Sequence, residues 1–88
     1  MDLGLASFYI TMIRELLERI LGIRRKPLTR RETEVLRYMV RGWQNKEIAG
    51  HMGISHQTVK NHVQHVYQKL GVRNRVEATT YALRRGWF

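Results

Sequence analysis

The chain has 88 residues, room for one small domain, and its 16 Lys and Arg against 7 Asp and Glu give a formal net charge of +9. A chain this basic is drawn to polyanions, either nucleic acid or an anionic membrane surface. The absence of Cys excludes disulfides and thiolate metal sites and suits a reducing compartment, and the single Asp with six Glu leaves so few carboxylates for an acid and base pair that no enzyme activity is expected.

From Leu3 to Leu21 the apolar residues Phe8, Tyr9, Met12, Ile13, Leu16, Leu17, Ile20 and Leu21 recur at helical spacing, with Thr11, Arg14, Glu15 and Glu18 on the other side. This predicts one amphipathic helix, supported by the pairs Arg14 with Glu18 and Glu15 with Arg19 and capped by Gly22. Charges in mid-segment argue against a membrane span, and the lack of a basic leader and a small-residue cleavage site argues against a signal peptide. Its wide apolar face needs a cover. Arg24, Arg25, Lys26 and Pro27 form a basic hinge, which places a boundary between residues 1–27 and 28–88.

Thr29 and Glu32 have the spacing of a capping box and open a first core helix with Val35, Leu36, Met39 and Val40 facing inward, ending at Gly42. Asn45 is the expected cap of a short helix through Met52, with Ile48, Ala49 and Met52 inward. Gly53, Ile54 and Ser55 then make a tight turn, a glycine free to take positive φ, an apolar plug and an N-cap. The third core helix runs from about 55 to 70 with Val59, Val63, Val66 and Leu70 as its inner stripe, and stops at Gly71. A last capping box, Asn74 with Glu77, starts a fourth helix through Ala78, Ala82 and Leu83 to Gly86. With no alternating apolar run and no repeat, the fold class is all-α: a four-helix domain preceded by an amphipathic helix.

Charge is unevenly divided. Residues 1–23 carry two basic and three acidic side chains and residues 24–88 carry fourteen and four, and from Ile48 to Val76 there is no acidic residue at all. On the third core helix, at about 100° per residue, Gln57, Lys60, Asn61 and Gln64 share a face well away from the valine stripe. Such a face is often merely solvated. These amides and this lysine are, however, the side chains that read base edges, Asn and Gln on adenine and Lys on guanine, and Thr58, His65 and Lys69 flank them in a row suited to phosphate oxygens. The tight turn and the acid-free window favour a helix-turn-helix whose second helix enters the major groove.

The runs Leu28-Thr29-Arg30-Arg31-Glu32, Gly42 with Asn45-Lys46-Glu47-Ile48-Ala49, Ile54-Ser55, Thr58-Val59-Lys60-Asn61-His62, Val66 with Lys69-Leu70, and Arg75 with Ala78 together resemble the LuxR/FixJ-type DNA-binding domain found at the C-terminus of many bacterial response regulators and quorum-sensing activators. The similarity covers 28–88 without a gap. It implies a transcription regulator that binds double-stranded DNA as a homodimer on a pseudo-palindromic operator, in the cytoplasm at the nucleoid. The DNA-facing positions it implies are Thr58, Lys60, Asn61, Gln64, His65 and Lys69, with Lys46 on phosphate and Gln57 on the same outer face. Val76, Thr79, Thr80 and Leu83 become the dimer face. RNA polymerase and an upstream sensor or receiver domain are implied as further partners.

The chain departs from the pattern at Gln44, where the family commonly has Ser, at Met52, where Leu is usual, and at Val66, where Ile is usual. Trp43 is expected to pack over the end of the first core helix, with a ligand contact as the lesser reading. His51, His56, His62 and His65 lie in a window without carboxylate or thiolate, so neither metal nor cofactor is expected, and His62 is read as making a structural hydrogen bond near the turn. Two alternatives stay open: a sigma-factor region-4-like promoter module that acts within RNA polymerase, and a protein-interaction module working through the first helix, as an oligomerisation or connector element without membrane insertion.

Overall fold

A computed structural model describes residues 3–22 and 27–88; the expected hinge residues Arg24, Arg25 and Lys26 lie outside the described residues. Five helices follow in order, α1 (Leu3–Leu21), α2 (Arg30–Val40), α3 (Asn45–Met52), α4 (His56–Leu70) and α5 (Arg75–Arg84), and no strand occurs among the described residues. The chain is all-α, with α2 packed on α4 and α5, α3 on α4, α4 on α5, and α1 on α5.

Local chemistry sets these boundaries. The Thr29 hydroxyl accepts the Glu32 amide at 3.2 Å while the Glu32 carboxylate accepts the Thr29 amide at 2.9 Å, so two donors left over at the start of α2 are satisfied at once. At α3 the cap is Gln44 rather than Asn45, because Glu47 accepts the Gln44 amide at 2.9 Å. That frees the Asn45 side chain, whose Oδ1 accepts a hydrogen bond from Arg75 at 3.1 Å. Arg75 also donates to the Trp43 carbonyl, so one guanidinium ties the start of α5 to the α2–α3 connection. Gly53 adopts φ +67°, and Ser55 accepts the Thr58 amide at 3.0 Å, which completes the turn into α4. Before α5, Asn74 accepts the Glu77 amide at 2.9 Å, but the Glu77 carboxylate reaches Arg73 N–H at 3.0 Å, one residue beyond the cap position of an ordinary box.

The core is small and apolar. Val35, Leu36 and Met39 of α2 meet Ile48 and Ala49 of α3, the stripe Val59, Val63, Val66 and Leu70 of α4, and Ala78, Tyr81 and Ala82 of α5, with Val72 closing the α4–α5 connection. Val40 and Met52 are only partly covered, at its margin. Trp43 lies over the end of α2: its ring stacks on Tyr38 at 4.6 Å and meets the His51 ring edge-on at 5.3 Å.

The orientation of α1 reverses the usual rule for an amphipathic helix. Glu15 and Glu18 are buried, with Glu15 3.1 Å from Arg84 of α5, while Arg14 donates to the Gly71 carbonyl and the Arg84 guanidinium lies 5.1 Å over the Phe8 ring. The partner of Glu15 is therefore on α5 and not one turn along its own helix. The apolar residues of α1 point away: Leu5, Phe8, Tyr9, Ile10, Ile13, Leu16, Leu17, Ile20 and Leu21 are 37% to 72% exposed. One oxygen of Glu15 and one nitrogen of Arg84 are buried without a hydrogen bond, so the polar seam under α1 returns little of its desolvation cost.

A buried polar link crosses the core. Lys69 of α4 donates to Glu32 at 2.7 Å, and the Glu32 side chain is almost wholly enclosed. Burial pushes the Glu32 carboxyl upward, but the Lys69 ammonium and the Thr29 amide and hydroxyl outweigh it and hold the group below its ordinary value. Stability from this carboxylate is thus present above the unfolded glutamate value, about 4.3, and drains away as pH falls through the lower folded value. Lys69→Met should cost about 1–3 kcal/mol in urea unfolding at neutral pH, the cost of an enclosed acceptor without its donor. In a Glu32→Gln background the same replacement should cost clearly less; equal costs in both backgrounds would show that the pair is not coupled. The parent should lose stability below about pH 4, with a smaller loss in Glu32→Gln.

Candidate nucleic-acid interface

The geometry of α4 follows from its two faces. Val59, Val63, Val66 and Leu70 are buried, and Gln57, Lys60, Asn61 and Gln64 on the other side are all exposed. Core burial of the valines therefore fixes which way the amides and the lysine point. The first turn of α4 holds no acidic residue, so nothing there repels a polyphosphate.

The outer side chains are partly ordered before any ligand arrives. Gln57 Nε2 donates to Asn61 Oδ1 at 3.0 Å, one turn along, and the Ser55 and Thr58 hydroxyls lie 2.8 Å apart. Both contacts hold polar groups that a base edge or phosphate oxygen can take over, since an amide carries two donors and an acceptor. Lys60 and Gln64 project freely beside them.

The flanking row is less uniform than its spacing suggests. Thr58 is half-buried and fixed by Ser55, and His65 is exposed, with Nδ1 3.6 Å from Glu32 Oε2. Lys69 has one N–H engaged by Glu32 and is 23% exposed, which leaves part of its ammonium in contact with solvent. Lys46 is exposed on the first turn of α3, the helix preceding the turn. On α5, Val76 and Leu83 are exposed at 72% and 55%, with Thr79 and Thr80 half-buried between them.

Two features escaped sequence reasoning. Glu32 reads there as a cap residue only, and its link across 37 positions to Lys69 becomes visible once α2 and α4 are packed. Arg75 enters there only as part of the family resemblance, and its contacts with Asn45 and the Trp43 carbonyl go unread. Only the phase of each residue on its helix could have hinted at these roles.

Known proteins resemble the chain over this same region. Residues 26–82 match the family model described as bacterial regulatory proteins, luxR family. The transcriptional regulatory protein DegU of Brevibacillus brevis is 46% identical over 66 residues, covering 72% of this chain and 28% of DegU. Among solved structures, the transcription factor GerE is 42% identical with a TM-score of 0.63, covering 70% of this chain and 92% of GerE. The response regulator ChrA of a heme-sensing two-component system is 36% identical with a TM-score of 0.66, over 84% of this chain and 37% of ChrA. The valine-backed outer face, the glycine turn before it and the family match converge: this chain belongs to the luxR family of bacterial regulatory proteins and carries the helix-turn-helix DNA-binding domain of transcription regulators.

Proposed function

We propose that the chain binds double-stranded DNA sequence-specifically, as a dimer on a pseudo-palindromic operator, with α4 in the major groove. The observation that carries this reading is the exposed Gln57, Lys60, Asn61 and Gln64 face opposite a fully packed valine stripe. These four residues read base edges, while Lys46, Thr58, His65 and Lys69 hold phosphates, Lys69 through the donors that Glu32 leaves unused. Counterion release makes the affinity fall steeply with salt. The site of action is then the nucleoid in the cytoplasm, with RNA polymerase as a further partner; a region-4-like module would need polymerase to bind at all, so stable binding by the purified chain separates the two.

For the dimer we propose α5, through Val76, Thr79, Thr80 and Leu83. A second surface is α1, in keeping with an oligomerisation role for residues 1–27. Its nine outward apolar side chains, 37% to 72% exposed, present on the order of 800–1,000 Å², comparable to one partner's share of a standard interface and more than an ordinary monomer leaves bare. A second copy of the chain is the occupant this reading commits to.

Binding should be measured across a series of salt concentrations, with sequences compared at equal salt and the preferred sequence selected from a random duplex pool. Lys60→Ala or Gln64→Ala should erode the preference for that sequence by about 1–3 kcal/mol, whereas Lys46→Ala should weaken all sequences alike and lower the salt slope by about one. Equal affinity of the parent for selected and scrambled duplexes would overturn specific readout.

Mass in solution tests the assembly. Leu83→Glu and Ile13→Glu should each shift the parent toward monomer, and a monomeric parent at high concentration would instead assign the α1 face to an upstream sensor or receiver domain.

A further inference from the structure

We infer that Glu32, His62 and His65 form a binding site for one divalent transition-metal ion of the zinc type. Each offers a ligand atom, a carboxylate oxygen or a ring nitrogen, and these atoms lie within 4.8 Å of one another. It is the one such grouping of three among the described residues. His62 and His65 stand three apart on α4, each with a ring nitrogen within 4.8 Å of the carboxylate of Glu32, which is buried at the start of α2. The carboxylate that the stretch 48–76 lacks is thus delivered from another helix.

The donor set selects the ion. Two imidazoles and one carboxylate suit Zn2+ and its neighbours and are a poor match to Mg2+ or Ca2+, which take oxygen. Bonds of about 2.0–2.2 Å to each ligand require the three groups to close on the ion from their present spacing. The movement is small: Glu32 Oε2 and His65 Nδ1 are already 3.6 Å apart, and His65 is an exposed side chain free to change rotamer.

Glu32 is also held as a metal ligand needs to be held. Its Oε1 is occupied by Lys69 at 2.7 Å and by the Thr29 amide at 2.9 Å, which leaves Oε2 turned toward His65. Hydrogen bonds of this kind orient a ligating carboxylate and are worth about 10–100-fold in metal affinity. The nearby ammonium opposes a second cation, so affinity is modest, in a range set by the imidazoles. An ion seated here joins α2 to α4 and binds only the folded chain, so it raises thermal stability. The site shares His65 with the proposed phosphate contacts, but its test needs no DNA.

The test uses the full, untagged chain with Zn2+ alone, followed by calorimetry and thermal unfolding, with Co2+ as an absorbing substitute and Mg2+ as control. One ion per chain should bind, the unfolding midpoint should rise with Zn2+ and not with Mg2+, and Co2+ should give the strong visible absorption of a low-coordinate nitrogen and oxygen site. His65→Gln, at an exposed position, should weaken Zn2+ by at least about tenfold and shrink the thermal shift accordingly, and His62→Gln should do the same. His51→Gln and His56→Gln should leave both unchanged. Absence of a Zn2+-dependent shift in the parent, or a shift undiminished in His65→Gln, overturns the site.

Discussion

Glu32 sits where three requirements meet. Its carboxylate closes the first turn of α2 through the Thr29 amide, holds the Lys69 ammonium at 2.7 Å, and stands 3.6 Å from the His65 ring. A buried carboxylate without such partners would cost several kcal/mol, so the chain folds with α2 and α4 in the one arrangement that supplies them. Apolar contacts among Val35, Leu36, Val59 and Val66 would tolerate small sliding, because such packing is not directional. The polar link is directional, and it adds to the buried valine stripe that sets the phase of α4.

Everything the outer face of α4 can do depends on that phase. Rotation of the helix by one residue would turn a valine to solvent and an amide into the core, at the cost of both an exposed methyl surface and an unsatisfied polar group. The outer face of α4 and its cap also keep their polar groups partly occupied, Gln57 by Asn61 and Ser55 by Thr58. A ligand that displaces these contacts replaces like with like, and its order is prepared before it arrives.

The first helix obeys a different logic. In most small domains an amphipathic helix hides its apolar stripe, yet α1 seats Glu15 and Arg14 against α5 and the α4–α5 connection and turns its isoleucines and leucines outward. The seam is incompletely paired at Glu15 and Arg84, and the outward surface is large for so small a chain. Covering that surface would repay what the seam lacks, so the placement of α1 and the chain's state of association are energetically joined.

Much of this was legible from residue order alone, since local rules suffice for it. Capping at Thr29 and Glu32, the glycine turn at Gly53 and the stripe of three valines and one leucine on α4 involve groups a turn apart or less, and there the chemistry of neighbours decides. Asn45 shows the margin of such reading: Gln44 takes the cap with Glu47, and the Asn45 side chain is left to accept from Arg75, 30 positions away. Which face of α1 would be covered, where the spare charge of Lys69 would go, and that a carboxylate would stand beside His62 and His65 are matters of tertiary packing. They depend on pairs 30 or more positions apart, among them Glu32–His62, Glu32–Lys69 and Glu15–Arg84, and a one-dimensional pattern carries no information on which helix will lie beside which.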